Sequence, residues 1–87
     1  MEFKKEVVFL GIKSEEITRR ETGEVIRYYS AQFFDPMTQT PLTVTMGENS
    51  PAVGDCIECQ QFEKITANFK LVAKDKLYKL SLSSLDL

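Results

Sequence analysis

The chain is built from short segments rich in β-branched and aromatic residues, with turn-forming residues between them. Residues 25–34, VIRYYSAQFF, have strong strand propensity. Residues 21–24, Glu-Thr-Gly-Glu, predict a turn before this segment. Residues 35–38, Asp-Pro-Met-Thr, predict another after it, because proline pre-sets one dihedral and aspartate starts such turns. Strand, turn and strand in this order favour antiparallel hairpins.

The remaining segments extend the same pattern. Val8, Leu10 and Ile12 alternate with other residues, as expected of a strand, and the segment PLTVTM alternates apolar residues with threonine. We expect residues 65–70 to form a loop or hairpin tip. The predicted strands are residues 3–13, 25–34, 41–46, 56–64 and 71–82. Five short strands with polar connections predict an all-β fold, a small barrel or sandwich.

Residues 14–21, SEEITRRE, leave one alternative open. Glu15 with Arg19, and Glu16 with Arg20, have the four-residue spacing that stabilises a helix. Only Ile17 would face a core, so such a helix would have almost no apolar stripe.

Length and charge limit the function. Eighty-seven residues predict one domain, 1–87, whose tail 83–87 is flexible or lies at a dimer interface. The net charge of −2 counts against nucleic-acid binding, since such domains are usually basic. The lysines, however, concentrate in the last third of the chain. No apolar run reaches the roughly 18 residues of a membrane span, and no cleavage site follows the N-terminal segment. We therefore expect a cytoplasmic protein with no membrane partner.

Catalytic and metal chemistry have little support in the sequence. The chain has no histidine, which is the commonest general base. Cys56 and Cys59 have C-x-x-C spacing, but zinc takes four ligands and the chain has no third cysteine. On the predicted strand 56–64 the two thiols would face opposite sides. We expect no enzymatic activity, no metal and no cofactor.

Several motifs together resemble a known family. In order, they are Thr22-Gly23 leading through Arg27 to Tyr29-Ser30, then PLTVTMGEN, then Pro51-Ala52-Val53-Gly54, Phe62 with Lys64, Phe69, and a final apolar strand. Over roughly residues 17–82 this order resembles the filamentous-phage gene V type of single-stranded DNA-binding protein. The resemblance implies a five-stranded oligonucleotide-binding (OB) barrel that works as a homodimer in a bacterial or phage-infected cell.

The resemblance also implies roles for individual residues. Arg19 or Arg20, and Arg27, would contact backbone phosphates. Tyr29 would stack on a base, and Phe69 would lie at the tip of the late hairpin. The chain departs from the family pattern where Thr45 replaces a lysine, and where Lys76 or Lys79 is the nearest substitute for an arginine.

Non-specific binding of a single strand needs positive charge for the phosphates and exposed rings for the bases. Adjacent residues on a strand face opposite sides, so one of Tyr28 and Tyr29 is expected in the core. Arg19 and Arg20 have an alternative role as ion-paired residues among nearby glutamates. Phe69 is expected either to be exposed for binding or to fold back. The candidate contacts are Arg19, Arg20, Arg27, Tyr28, Tyr29, Lys64, Phe69, Lys70, Lys76 and Lys79.

The sequence therefore predicts a protein that coats single-stranded nucleic acid, DNA in preference, during replication of a phage or mobile element. The alternative is a small β-barrel that pairs with a protein partner and does not bind nucleic acid. Its interface would be the tail LSLSSLDL. A third possibility is an oligosaccharide, which other OB proteins bind on the same face.

Overall fold

We describe the fold from a computed structural model, which covers the backbone of residues 1–87 and every side chain except that of Lys74. The described residues form five strands and one helix. In chain order these are β1 (Glu2–Thr18), β2 (Val25–Asp35), β3 (Thr40–Gly47), α1 (Pro51–Glu58), β4 (Lys64–Lys74) and β5 (Leu77–Asp86). The prediction of an all-β fold with five strands is confirmed.

All five strands are antiparallel neighbours in one sheet, in the order β3-β2-β1-β4-β5. The central strand, β1, is long enough to serve two partners. Its first half pairs with β4 and its second half with β2, and Val8 belongs to both ladders. A bulge between Phe9 and Gly11 marks this change of partner. Because bulges increase bend and twist, β1 can curl so that the two halves of the sheet face each other.

β1 continues as a strand to Thr18, so the helical alternative for residues 14–21 is wrong. A turn then leads into β2, as the sequence predicts. The Gly23 N–H donates to the Arg19 carbonyl over 2.8 Å, and Gly23 has a φ of +70°. Glycine adopts this left-handed conformation without the steric cost that a side chain brings.

The inner face of the curled sheet forms the core. Its aromatic centre is a chain of ring contacts in which Phe33 meets both Phe9 and Phe69, and Phe69 also meets Phe3, with centroids 5.7–5.8 Å apart. Such tilted and edge-to-face pairs are favourable beyond the apolar area that they bury. The smaller core residues are Val7, Ala31, Val44, Met46, Ala52, Val53, Cys56, Cys59, Ile65, Ala67, Leu82 and Leu85.

Two segments differ from the sequence prediction. Residues 56–64 were expected to form a strand, but Cys56 lies in α1, and β4 begins only at Lys64. The buried positions Ala52, Val53 and Cys56 have helical spacing, and proline occupies the first turn, where its missing N–H costs nothing. Residues 65–70 were expected to form a loop, but they lie within β4, paired on both sides with β1 and β5.

The helix packs against the edge of the sheet. α1 contacts β5, and the Asp55 carboxylate accepts a hydrogen bond from the Leu85 N–H over 3.0 Å. The two edge strands, β3 and β5, also approach each other. Across the described backbone no hydrogen-bonded ladder joins them. The sheet therefore ends in a seam between β3 and β5, and the helix packs against β5.

The turn between β2 and β3 is held by a buried carboxylate. Asp35 is 1% exposed and accepts hydrogen bonds from the Met37 N–H (3.0 Å) and the Thr38 hydroxyl (2.9 Å). The Lys5 ammonium forms an ion pair with the same group. These donors, Lys5 foremost, lower the pKa of Asp35 to about 2. The aspartate therefore ties β1 to the β2–β3 turn while it stays ionised.

No helix in the described part of the chain has the length and apolar character needed to cross a membrane.

Candidate nucleic-acid interface

An open groove follows the seam between β3 and β5 and continues onto the outer face of β2. It consists of two adjoining hollows of about 460 and 390 Å³, and Thr45 and Lys79 line both of them. We call it the seam groove. Its lining residues are Ile17, Tyr28, Thr43, Thr45, Met46, Gly47, Asp75, Leu77, Tyr78, Lys79 and Leu80. Two of the nucleic-acid contacts predicted from the sequence, Tyr28 and Lys79, therefore line the same hollow.

The two adjacent tyrosines of β2 face opposite sides of the sheet. Tyr29 lies opposite Met46 and packs against the core, whereas Tyr28 lies opposite Gly47 and lines the seam groove. As predicted, the two rings take opposite faces, and Tyr29, although only half-buried, is the one that packs against the core. The resemblance implied a stacking role for Tyr29, but Tyr29 packs against the core, and Tyr28 is the ring on the groove side.

On the β1 side, Tyr28 is paired with an acidic residue. Glu15 is its direct cross-strand partner, and both residues are half-buried. A hydrogen bond between the two side chains raises the pKa of Tyr28 and lowers the pKa of Glu15. The Lys13 ammonium lies 3.1 Å from Glu15 Oε1 and favours the ionised carboxylate further. Tyr28 is therefore paired with Glu15 on the β1 side and lines the groove on the β3 side.

The β4–β5 hairpin forms the other wall of the groove. Leu77 and Tyr78 are 73% and 77% exposed, and Lys79 follows them. The hairpin turns through Asp75 and Lys76, whose φ values are +49° and +69°. Two successive left-handed residues are typical of the two-residue turn that favours Asn-Gly or Asp-Gly. Here a lysine stands where glycine is preferred, and it lies at the tip of this wall.

The three arginines have different surroundings. Arg27 Nη2 lies 2.7 Å from Glu16 Oε1 on the neighbouring strand, and this bond, with Glu48 further off, raises the pKa of Arg27. Its charge is thus balanced within the protein. Arg19 and Arg20 lie exposed at the β1–β2 turn. Among the described side chains neither forms an ion pair with an acid, so the ion-paired alternative proposed for them applies to Arg27 instead.

Phe69 is the clearest correction to the candidate site. It was expected at a hairpin tip, but it lies in the middle of β4, is 1% exposed and packs between Phe3 and Phe33. A ring in this position has no face free for a base. The prediction failed because the segment ITANFK was interpreted as a loop. Phe62, one of the motif residues of the resemblance, is 68% exposed.

The other lysines lie outside the groove lining. Lys64 begins β4 beside Val8 and pairs with Glu6 over 2.7 Å, so it does not join the groove residues. Lys70 is exposed on β4 opposite Ser81. Lys76 lies at the hairpin tip, next to the groove residues Asp75 and Leu77.

Sequence reasoning missed Tyr78. The residue was placed on the last strand and was not assigned a role, although it is the most exposed tyrosine of the groove. Its exposure could have been inferred from a hairpin turn at Asp75 and Lys76, because residues close to the tip of a hairpin are exposed. Because the turn was not located, Tyr78 was treated as an ordinary strand residue.

The cysteines lie at the end of the helix. Cys56 is in α1 and Cys59 caps its C-terminus, so the strand-based argument for separating the thiols was wrong. Burial raises the pKa of Cys56 to about 12, and burial together with Glu63 raises that of Cys59 to about 11. Both thiols therefore stay protonated and unreactive at neutral pH. Within the described residues no group of three or more potential metal ligands is found.

Comparison with known proteins gives no assignment, since the chain matches no protein-family model, no curated protein and no solved structure.

Proposed function

We propose that the seam groove binds a single strand of nucleic acid without strong sequence preference. The observation that carries this proposal is the arrangement of Tyr28 and Tyr78 in adjoining hollows of one groove, with Lys79 lining both hollows. Two aromatic rings with a cation between them can bind a single strand of nucleic acid. Each ring can stack on one base, and the cation can contact the phosphate that links the two bases. The proposed activity is binding, with no catalytic step.

The rest of the lining fits this ligand. Thr43 and Thr45 line the groove and bring hydroxyl groups that can donate to phosphate or sugar oxygens. Leu77 and Ile17 add apolar contact area beside the rings. Exposed apolar residues gathered around a groove, with polar residues between them, are typical of a binding surface.

The charges near the groove limit the affinity. Asp75 lines the first hollow and Glu15 lies behind Tyr28, while the whole chain has a net charge of −2. We therefore propose that a few cations make the phosphate contacts, with Lys79 and Lys76 foremost. Each phosphate contact on a single strand changes the slope of log K against log salt by about 0.7, so the expected slope is shallow.

The finer parts of the proposal depend on the resemblance to gene V type proteins. They are a preference for DNA, a role in coating the strand during replication of a phage or mobile element, action as a homodimer, and a cytoplasmic location. The rival proposal is a protein interface in the tail LSLSSLDL, but most of the leucines that it needs are buried or packed against the core. Leu82 and Leu85 are each 6% exposed, and Leu80 packs against the core.

The direct test is a titration with oligo-dT, followed by tyrosine emission. The chain has three tyrosines and no tryptophan, and two of the tyrosines line the groove. We expect quenching at low salt that weakens as salt is added. The absence of any response at low salt would contradict the proposal, and duplex DNA bound as tightly as single strand would contradict the stacking mechanism.

A pair of lysine variants makes the test specific to the groove. Lys79→Gln removes the cation shared by the two hollows, and we expect it to reduce the salt slope by about 0.7. Lys64→Gln removes the same charge from the start of β4, where the lysine pairs with Glu6. It should leave the slope unchanged, and equal effects of the two substitutions would show that net charge, rather than the groove, determines binding.

A further inference from the structure

One part of the seam groove is lined by a residue that has no side chain. Gly47 lies directly opposite Tyr28 at the end of β3, and both line the second hollow. A Cβ atom placed on Gly47 would meet nothing within 4 Å. The position that a Gly47 side chain would occupy, across from Tyr28, is therefore open space.

The backbone does not explain why a glycine stands here. Gly47 is absent from the residues with positive φ, so an ordinary side chain would fit its conformation. Glycine in a strand is costly, and it often marks a place where another group approaches closely. Gly47 therefore does not make use of the conformational freedom of glycine. What a larger residue would change at this position is the open space.

The opposite side of the Tyr28 ring is closed. Glu15 is its partner on β1, and Lys13 holds the Glu15 carboxylate at 3.1 Å. Tyr28 thus has a paired side chain on the β1 side and open space on the β3 side. An aromatic ring that borders open space can stack on the flat face of a base.

On these grounds we propose that the recess over Gly47 is a subsite for one nucleobase, which stacks on the ring of Tyr28 while Lys79 contacts the adjoining phosphate. This inference depends on the proposed function and deepens it, since it assigns the base contact to a named position. In this subsite the contact with the base is made by the ring face of Tyr28 and not by its hydroxyl. The subsite should therefore accept any base.

The test compares two ligands on one variant. Gly47→Leu fills the recess without a backbone penalty, and its affinity is measured for oligo-dT and for an abasic deoxyribose-phosphate oligomer of equal length. We expect oligo-dT to bind on the order of tenfold more weakly than to the wild type, the loss of one stacked base. Affinity for the abasic oligomer should stay the same. Gly54→Leu adds the same side chain at an exposed position of α1, where a Cβ also meets nothing, and should change neither affinity.

Each other result has a distinct meaning. If wild-type protein does not bind oligo-dT, the proposed function fails and the subsite with it. If the wild type binds oligo-dT and Gly47→Leu binds it equally well, only the subsite is overturned. Equal loss for both ligands would also overturn it, because the recess would then serve the backbone. A second variant, Tyr28→Ala, guards against a folding artefact, since Gly47→Leu should add little further loss once the ring is gone.

Discussion

On the inner face of the sheet, Phe33 and Phe69 are buried and packed edge to face, whereas Tyr28 and Tyr78 border an open groove. The buried rings lie on β2 and β4, and the groove rings lie on β2 and β5. The difference shows that the rings which stabilise this fold are separate from the rings which a ligand can reach. Substitutions inside should therefore change stability, and substitutions in the groove should change binding.

The largest effect is expected at Phe69. Phe69→Ala removes a fully buried ring that contacts Phe3 and Phe33, and such truncations cost about 3–5 kcal/mol. Urea denaturation followed by circular dichroism measures this loss. A change in the free energy of unfolding below about 1 kcal/mol would mean that the Phe69 ring is not in a packed core. The distinction between stabilising rings inside and accessible rings in the groove would then be wrong.

Acid should destabilise the fold through Asp35. Its pKa falls from 3.8 to about 2 on folding, chiefly through Lys5, so its ionised form stabilises the native state above pH 4. That contribution should disappear as the pH falls from about 4 to about 2, since protonation breaks the ion pair. Denaturation midpoints measured across this range should decline in the wild type.

Two variants locate this acid effect. Asp35→Asn should be less stable at neutral pH and should lack most of the decline. Asp86 also has a lowered pKa, through Asn68, but its side chain is 49% exposed. Asp86→Asn should therefore keep most of the pH dependence. If Asp86→Asn removes it instead, the buried carboxylate is not the group that responds to acid.

In the groove we expect the reverse pattern at Tyr78. Tyr78→Ala removes a ring that is 77% exposed, so stability should change by less than about 0.5 kcal/mol. Binding of oligo-dT should weaken by about 1–3 kcal/mol, the value of one base stacked on an aromatic side chain. Tyr29→Ala is the matched control because Tyr29 packs against the core, and it should lower stability more than affinity.

The sequence predicted the fold class because alternation and turn residues are local signals. The turns after β1 and β2 and the pairing of β1 with β2 depend on neighbouring residues, and they agree with the structure. The helix was missed because it is only eight residues long and its buried stripe consists of three residues, Ala52, Val53 and Cys56. Such a segment also fits a strand, and only its packing against β5 decides between the two.

The candidate site was predicted less well, since it depends on contacts between distant strands. Tyr28 and Lys79 were both predicted as nucleic-acid contacts, and both line the seam groove. They are 51 positions apart in the sequence, so only the curl of the sheet brings them together. Phe69 was misplaced because the turn of the last hairpin lies at Asp75 and Lys76, later than expected. Neither residue is glycine, so the usual signal of a tight turn is absent there.

The smallest predicted effect concerns this same turn. Lys76 has a φ of +69°, and the left-handed conformation costs a residue with a side chain roughly 1–2 kcal/mol. Lys76→Gly should therefore raise stability by about 1 kcal/mol, while the loss of a cation at the groove tip weakens oligo-dT binding a few-fold at low salt. Lys76→Asn also tolerates the conformation and removes the charge, so it should weaken binding equally. If both variants are more stable and bind as well as the wild type, the strained lysine has no role in the groove, and the phosphate contact belongs to Lys79 alone.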